Sequence, residues 1–222
     1  MNYLMVFFGL FCLVKTVNAA SFEEFMLDGR EDIEGVPLVE YANIWWQWTV
    51  TMPEELSPVR DTTGQHCAVG QTGNVWFLAG GFGTSKIKRT CEIPAGKYIF
   101  FPVINMVYYA SKDFPLTCKE VKKYAALNND ELLSIAVELD GISASNPAHT
   151  RLASADCFDL MARVPREYNP PKVFPSASDG YWVMLKPLTK GKHSLKFNAQ
   201  YDRNKGPYAK MAQDIEYDLI IK

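Results

Sequence analysis

Three carboxylates sit beside turn-forming residues and offer the plainest capacity for acid–base chemistry: Asp61 before Thr62-Thr63-Gly64, Glu92 before Pro94-Ala95-Gly96, and Asp179 before Gly180. Two such groups held about 5–10 Å apart could act as acid and nucleophile, or acid and base, across a glycosidic bond. Solvated turn residues are the simpler reading of all three. The run Asp61-Thr62-Thr63-Gly64 superficially resembles an aspartic-protease loop, but it carries an extra Thr and follows Arg60. A turn capped by the Asp61 side chain fits it better. Gly80 to Lys86 (GGFGTSK) lacks the Gly-Lys-Ser/Thr order of a phosphate loop and precedes a strand pattern, so it reads as a hairpin loop. There is no G-x-S-x-G elbow. His66, His149 and His193 are scattered and no C-x-x-C pair exists, so neither a metal site nor a cofactor is expected.

Binding chemistry is the other possibility. Trp45 and Trp48 share a helical stripe with Tyr41 and Met52 and read as core. Trp46 and Gln47 fall to one side of that stripe. An exposed indole next to an amide suits stacking on a sugar ring or on a partner's apolar patch. Phe82, at the tip of the glycine-rich loop, and Arg89 complete the expected contact set of Trp46, Gln47, Phe82 and Arg89.

These residues need a scaffold, and the hydrophobic pattern describes one. Phe22, Phe25 and Met26 give residues 21–29 a short amphipathic docking helix. Pro37 opens a second helix that runs to about Met52, where Pro53 stops it. Val75 to Ala79 is an apolar run, as in a strand buried on both faces. Ile87 to Ile93 alternates, and Tyr98 to Ile104 is apolar again. Thr117-Cys118-Lys119-Glu120 is a capping box that starts a helix ending near Leu127. Ile135 to Leu139 reads as a strand turned by Asp140-Gly141. Residues 146–178 read as long surface loops. Ser194–Tyr201 and Asp214–Ile221 alternate, with Leu195, Phe197, Ala199, Ile215, Tyr217, Leu219 and Ile221 inward. Pro94–Lys97 and Pro187–Lys192 read as two similar sheet corners. Strands at this spacing, with Gly and Pro turns, argue for a sandwich.

The chain has 222 residues, 48% of them hydrophobic and 22% charged, which excludes disordered, collagen-like and coiled-coil classes. Its formal charge of −2 leaves no overall electrostatic footprint for nucleic acid or an anionic membrane. Tyr3 to Val14 is an uncharged apolar run, too short for a spanning helix. With Val17-Asn18-Ala19 after it, residues 1–19 read as a secretory signal peptide. The expected product is a single secreted or periplasmic domain of residues 20–222, with no integral membrane segment left. Removing Cys12 with the signal leaves Cys67, Cys91, Cys118 and Cys157, an even set in an exported chain. The expected pairs are Cys67–Cys91, flanking a hairpin, and Cys118–Cys157, closing a loop around the helical insertion.

An ordered set of short motifs runs through residues 40–110 and 178–221: Trp45-Trp46-Gln47-Trp48, Val75-Trp76-Phe77-Leu78-Ala79-Gly80, Pro94-Ala95-Gly96-Lys97 and Pro187-Leu188 with Gly191-Lys192-His193. Together they resemble a family of exported microbial proteins of unknown function. The resemblance implies export and a β-rich fold, and it carries over no catalytic residue. The expectation is therefore a mainly β protein: an antiparallel β-sandwich, Ig-like or jelly-roll, with an N-terminal helix and a helical insertion. Its expected role is non-catalytic binding of a glycan or protein. The alternatives are a polysaccharide hydrolase using a carboxylate pair, or an inhibitor or immunity protein for an extracytoplasmic enzyme.

Overall fold

The computed structural model describes residues 20–83, 86–203, 205 and 208–222; the expected signal segment lies outside the described residues. The chain opens with a 3-10 turn, Phe22–Phe25, and a small pair of strands, β1 (Asp32–Ile33) and β2 (Val36–Pro37). Helix α1 (Leu38–Val50) follows, with Pro37 as its N-cap. The remaining elements are β3 (Val75–Phe77), β4 (Lys86–Ile93), β5 (Tyr98–Tyr109), α2 (Cys118–Ala126), β6 (Leu132–Leu139), β7 (Ile142–Ser143), β8 (Arg151–Ala153), β9 (Ser176–Leu185), β10 (Gly191–Asp202) and β11 (Lys210–Ile221). The fold is mainly β, with an N-terminal helix and a helical insertion.

Among the described residues the strands form one sheet in the order β4-β11-β10-β6-β7 and another in the order β3-β5-β9-β8. One core lies between them. Ile99, Phe101, Val183 and Leu185 of the four-stranded sheet share it with Leu195, Phe197, Tyr217 and Leu219 of the five-stranded one. The rings of Phe101 and Phe197 are 4.8 Å apart across it. The second core lies on the opposite face of the four-stranded sheet, where α1 sets Leu38, Tyr41, Trp45 and Trp48 against Phe77, Phe100, Trp182 and Met184. Trp182 stacks on Phe100, and the indole N–H of Trp45 reaches the carbonyl of Leu78 at 2.9 Å. Burial on both faces explains why β9 reads as an unbroken buried run. β4, β10 and β11 bury one face each and alternate.

Four features depart from the sequence reading. The sheets are not wholly antiparallel, because β3–β5 and β4–β11 pair in parallel. Parallel neighbours need a crossover, and here the chain supplies it by switching sheets. For the same reason the glycine-rich segment after β3 is not a hairpin turn: β3 and β4 belong to different sheets. The residues before Gly29 form a 3-10 turn rather than an amphipathic helix, and β8 interrupts the expected loops of residues 146–178.

Other expectations hold. Both proline corners carry the chain between sheets, β4 to β5 and β9 to β10. Asp140 and Gly141 take positive φ, as a two-residue hairpin turn of this kind requires. The Thr117–Glu120 capping box is formed. Both expected disulfides, Cys67–Cys91 and Cys118–Cys157, are present. The first is buried and fixes the 61–67 loop along the outer edge of β4, where the Thr90 N–H donates to the carbonyl of Thr63. That loop covers an edge that would otherwise be open to another strand.

Candidate functional site

Arg89 alternates inward on β4 and is 1% exposed. Its guanidinium donates to the carbonyls of Asp61 (2.7 Å), Ala79 (2.9 Å) and Gly80 (2.9 Å) and to the Tyr217 hydroxyl (3.0 Å). It is a staple between the 59–61 segment, the glycine-rich segment and β11. Gln47 is also buried. Its amide donates to the carbonyl of Asp159 at 2.8 Å and accepts from Arg163 at 3.0 Å. Neither side chain is a surface contact, which corrects the expectation for both. Their polar groups bind the protein's own backbone because each sits where two segments converge. Trp46 is half-buried with its ring edge-on to Trp45, while Phe82 is exposed beneath the Arg60 guanidinium. Among the described residues no ring contact or hydrogen bond joins Trp46 to Phe82, so the four residues form no shared patch.

The carboxylates are likewise separated. Asp61 accepts from the Thr63 N–H and hydroxyl, both at 2.7 Å, and from the His66 N–H at 2.9 Å. Burial works against its charge, but these donors outweigh it and hold the carboxyl below its ordinary range. It is the side-chain turn cap that the sequence implies. Glu92 lies on the exposed face of β4 and pairs with Lys222. Asp179, 4% exposed, is gripped by Arg151 through both oxygens (3.0 and 3.1 Å) and by the Asn129 amide at 3.0 Å. Burial pushes its carboxyl up, and Arg151 opposes the shift. Among the described residues no hydrogen bond joins any two of the three, and each already has partners. No group of three or more His, Cys, Asp or Glu could hold a metal there either.

A concavity lies elsewhere. A cleft of about 440 Å³ opens where residues 23–31, the 144–152 segment and the 182–186 stretch of β9 and its exit meet. Leu38, Leu152, Trp182 and Met184 supply apolar walls, and Glu23, Asp28, Glu31, Asn146, His149 and Lys186 supply polar ones. The N-terminal segment is held there by backbone bonds, from the Leu27 N–H to Met184 and from the Lys186 N–H to Phe25, and by Phe22, which is fully buried in the inter-sheet core. Glu23 crosses to the opposite wall and accepts from the Ser145 N–H (2.8 Å) and hydroxyl (2.6 Å). Those two bonds lower its pKa to about 2.

Sequence reasoning missed this cleft. Its walls lie more than 100 residues apart, in stretches that read as a docking helix and as surface loops. The amphipathic residues Phe22, Phe25 and Met26 signal that the segment docks, but nothing in their pattern says where. Clefts of about 300–1,000 Å³ with apolar walls and a few polar groups are the usual form of a small-ligand site. Comparisons with protein-family models, with curated proteins and with solved structures found no match for this chain.

Proposed function

We propose that this protein is an exported, disulfide-stabilised, non-catalytic binding protein whose ligand, a short glycan unit, sits in the cleft between the N-terminal segment and the 144–152 segment. The cleft carries this reading: its volume and its mix of apolar and hydroxyl-compatible polar walls suit one or two sugar residues. Two disulfides in a chain with a signal-like N-terminus support export, as does the resemblance to exported microbial proteins. The two facing sheets support a sandwich architecture. The separate engagement of Asp61, Glu92 and Asp179 favours binding over glycoside hydrolysis, which needs two free carboxyl groups facing one bond.

The test is a calorimetric screen of a panel of mono- and disaccharides against the wild-type protein and a Gly29→Trp variant. Gly29 lines the cleft, and a Cβ there meets nothing within 4 Å. The open space around that position lets a large side chain at the cleft rim be accommodated without disturbing the core. Binding to the wild type that is lost in Gly29→Trp supports the proposal. Binding that survives the substitution refutes the location, and turnover of any disaccharide would move the protein to the hydrolase reading.

A further inference from the structure

At the end of the four-stranded sheet where β5 leaves and β9 enters, three aromatic side chains protrude on separate turns. Tyr109 is the last residue of β5, Phe114 closes the turn that follows, and Phe174 precedes β9; they are 47%, 53% and 51% exposed. Backbone bonds hold them at one end of the molecule. Tyr109 pairs in register with Ser176, the Ala110 N–H donates to the carbonyl of Pro175, and Ser111 and Phe114 bond to each other. Tyr168, 73% exposed, lies on the same 159–175 excursion, whose base Asp159 closes by accepting from the N–H groups of Met161 and Val173.

The charge at this end differs from that of the whole chain. Residues 109–123 and 159–175 contain Lys112, Lys119, Lys122, Lys123, Arg163, Arg166 and Lys172 against Asp113, Glu120, Asp159 and Glu167, a net of +3 in a chain of net −2. Among the described residues none of those seven cations takes part in an ion pair, whereas Lys88, Arg151, Lys196, Lys210 and Lys222 all do. The Lys172 ammonium lies 5.0 Å from the centre of the Phe174 ring, so cation and apolar ring are presented together.

We infer that this end of the protein docks peripherally on an anionic lipid bilayer, with Phe114 and Phe174 entering the headgroup–acyl boundary and the surrounding lysines facing lipid phosphates. Phenylalanine has no hydrogen-bonding group for a sugar or a polar partner, and leaving water is what such an exposed ring gains most from. Tyrosine and lysine side chains beside it have an apolar body and a polar tip, the form suited to the interface itself. The local excess of unpaired cations supplies the complementary charge. The overall charge argues against this only if it is taken as uniform, and here it is not. The inference is independent of the glycan cleft, which lies at the opposite end of β9.

The experiment is co-sedimentation of the purified protein, both disulfides formed, with vesicles of phosphatidylcholine alone or mixed with phosphatidylglycerol. Binding to the mixed vesicles is expected, with little to phosphatidylcholine alone and most of it lost in about 1 M salt. The Phe114→Ala/Phe174→Ala variant should bind at least about tenfold more weakly, and Lys112→Glu/Lys172→Glu should lose roughly fivefold or more per lysine. All four positions are exposed, and unchanged thermal unfolding of both variants shows that the fold is intact. Neither variant alters residues 3–14, so in any preparation that retains the signal-like segment, binding caused by that apolar run would survive the substitutions and overturn the inference. Failure to bind mixed vesicles would overturn it as well, and so would binding to polygalacturonate in place of vesicles.

Discussion

Replacing Arg89 by Met keeps most of the side-chain volume and deletes every donor of the buried guanidinium. Five acceptors lose a bond, but not equally, and the bond to the Val59 carbonyl is already long at 3.4 Å. The Ala79 carbonyl still accepts from the Tyr217 hydroxyl at 2.8 Å, and that hydroxyl still accepts from the Ala79 N–H at 3.1 Å. Among the described residues the carbonyls of Asp61 and Gly80 have no such alternative partner, and they become buried orphans. At roughly 1–3 kcal/mol each, they cost about 2–6 kcal/mol. Losing the cation 5.4 Å from the Tyr217 ring adds to that, while no longer burying a charge offsets part of it. The expected net loss is about 3 kcal/mol, a large share of the roughly 5–15 kcal/mol that holds a typical domain together. Arg89→Lys should recover only about half of it, because one ammonium cannot span carbonyls on two segments. Urea unfolding of the oxidised protein, with the slope unchanged between variants, measures both. A Met variant within about 1 kcal/mol of the parent, or a Lys variant equal to Arg, would refute the staple.

Further outcomes can be stated for other sites. Gly64 has φ +94° and an added Cβ would lie 2.1 Å from the carbonyl oxygen of Thr90, so Gly64→Ala should cost more than about 2 kcal/mol by chemical unfolding and increase amide exchange along the β4 edge. The disulfides close loops of 24 and 39 residues, and replacing either pair by serines should cost about 3–4 kcal/mol in the chain-entropy model; non-reducing intact mass four hydrogens below the thiol form checks that both exist first. Glu23 is held at about 2 against an ordinary 4.5, a depressed carboxyl. Its contribution is therefore present above pH 4.5 and lost as pH falls through about 2, so Glu23→Gln should flatten the acid limb of the melting temperature across that window.

The strands whose residues alternate were readable because one buried face imposes a period of two, as in Leu195, Phe197 and Ala199. The disulfide pairing was legible as well, because few cysteines remain once the signal-like segment is set aside. Sheet membership was not. The segment Gly80–Gly83 has the composition of a hairpin turn, and it takes the tertiary bonds from Arg89, Tyr217 and Gln213 to Ala79, Gly80 and Gly81 to show that it lies between the sheets. The exposure of Gln47 was misjudged for a related reason. A helix wheel locates the face turned toward the sheet, but it cannot foresee that residues 159–163 return to cover the other side. The cleft depends on two segments with no local pattern, so it became visible only with the tertiary arrangement.

The position of β11 also governs when the fold can close. The last strand of the chain lies inside its sheet, between β10 and β4, and pairs with both along nearly its whole length. Until residues 210–221 are available, β4 has no partner in its sheet and the inter-sheet core lacks Ile215, Tyr217, Leu219 and Ile221. A chain from which residues 210–221 are still missing therefore cannot reach its native state, however much of the rest has formed. Closure of the five-stranded sheet is a single event that waits on residues 210–221.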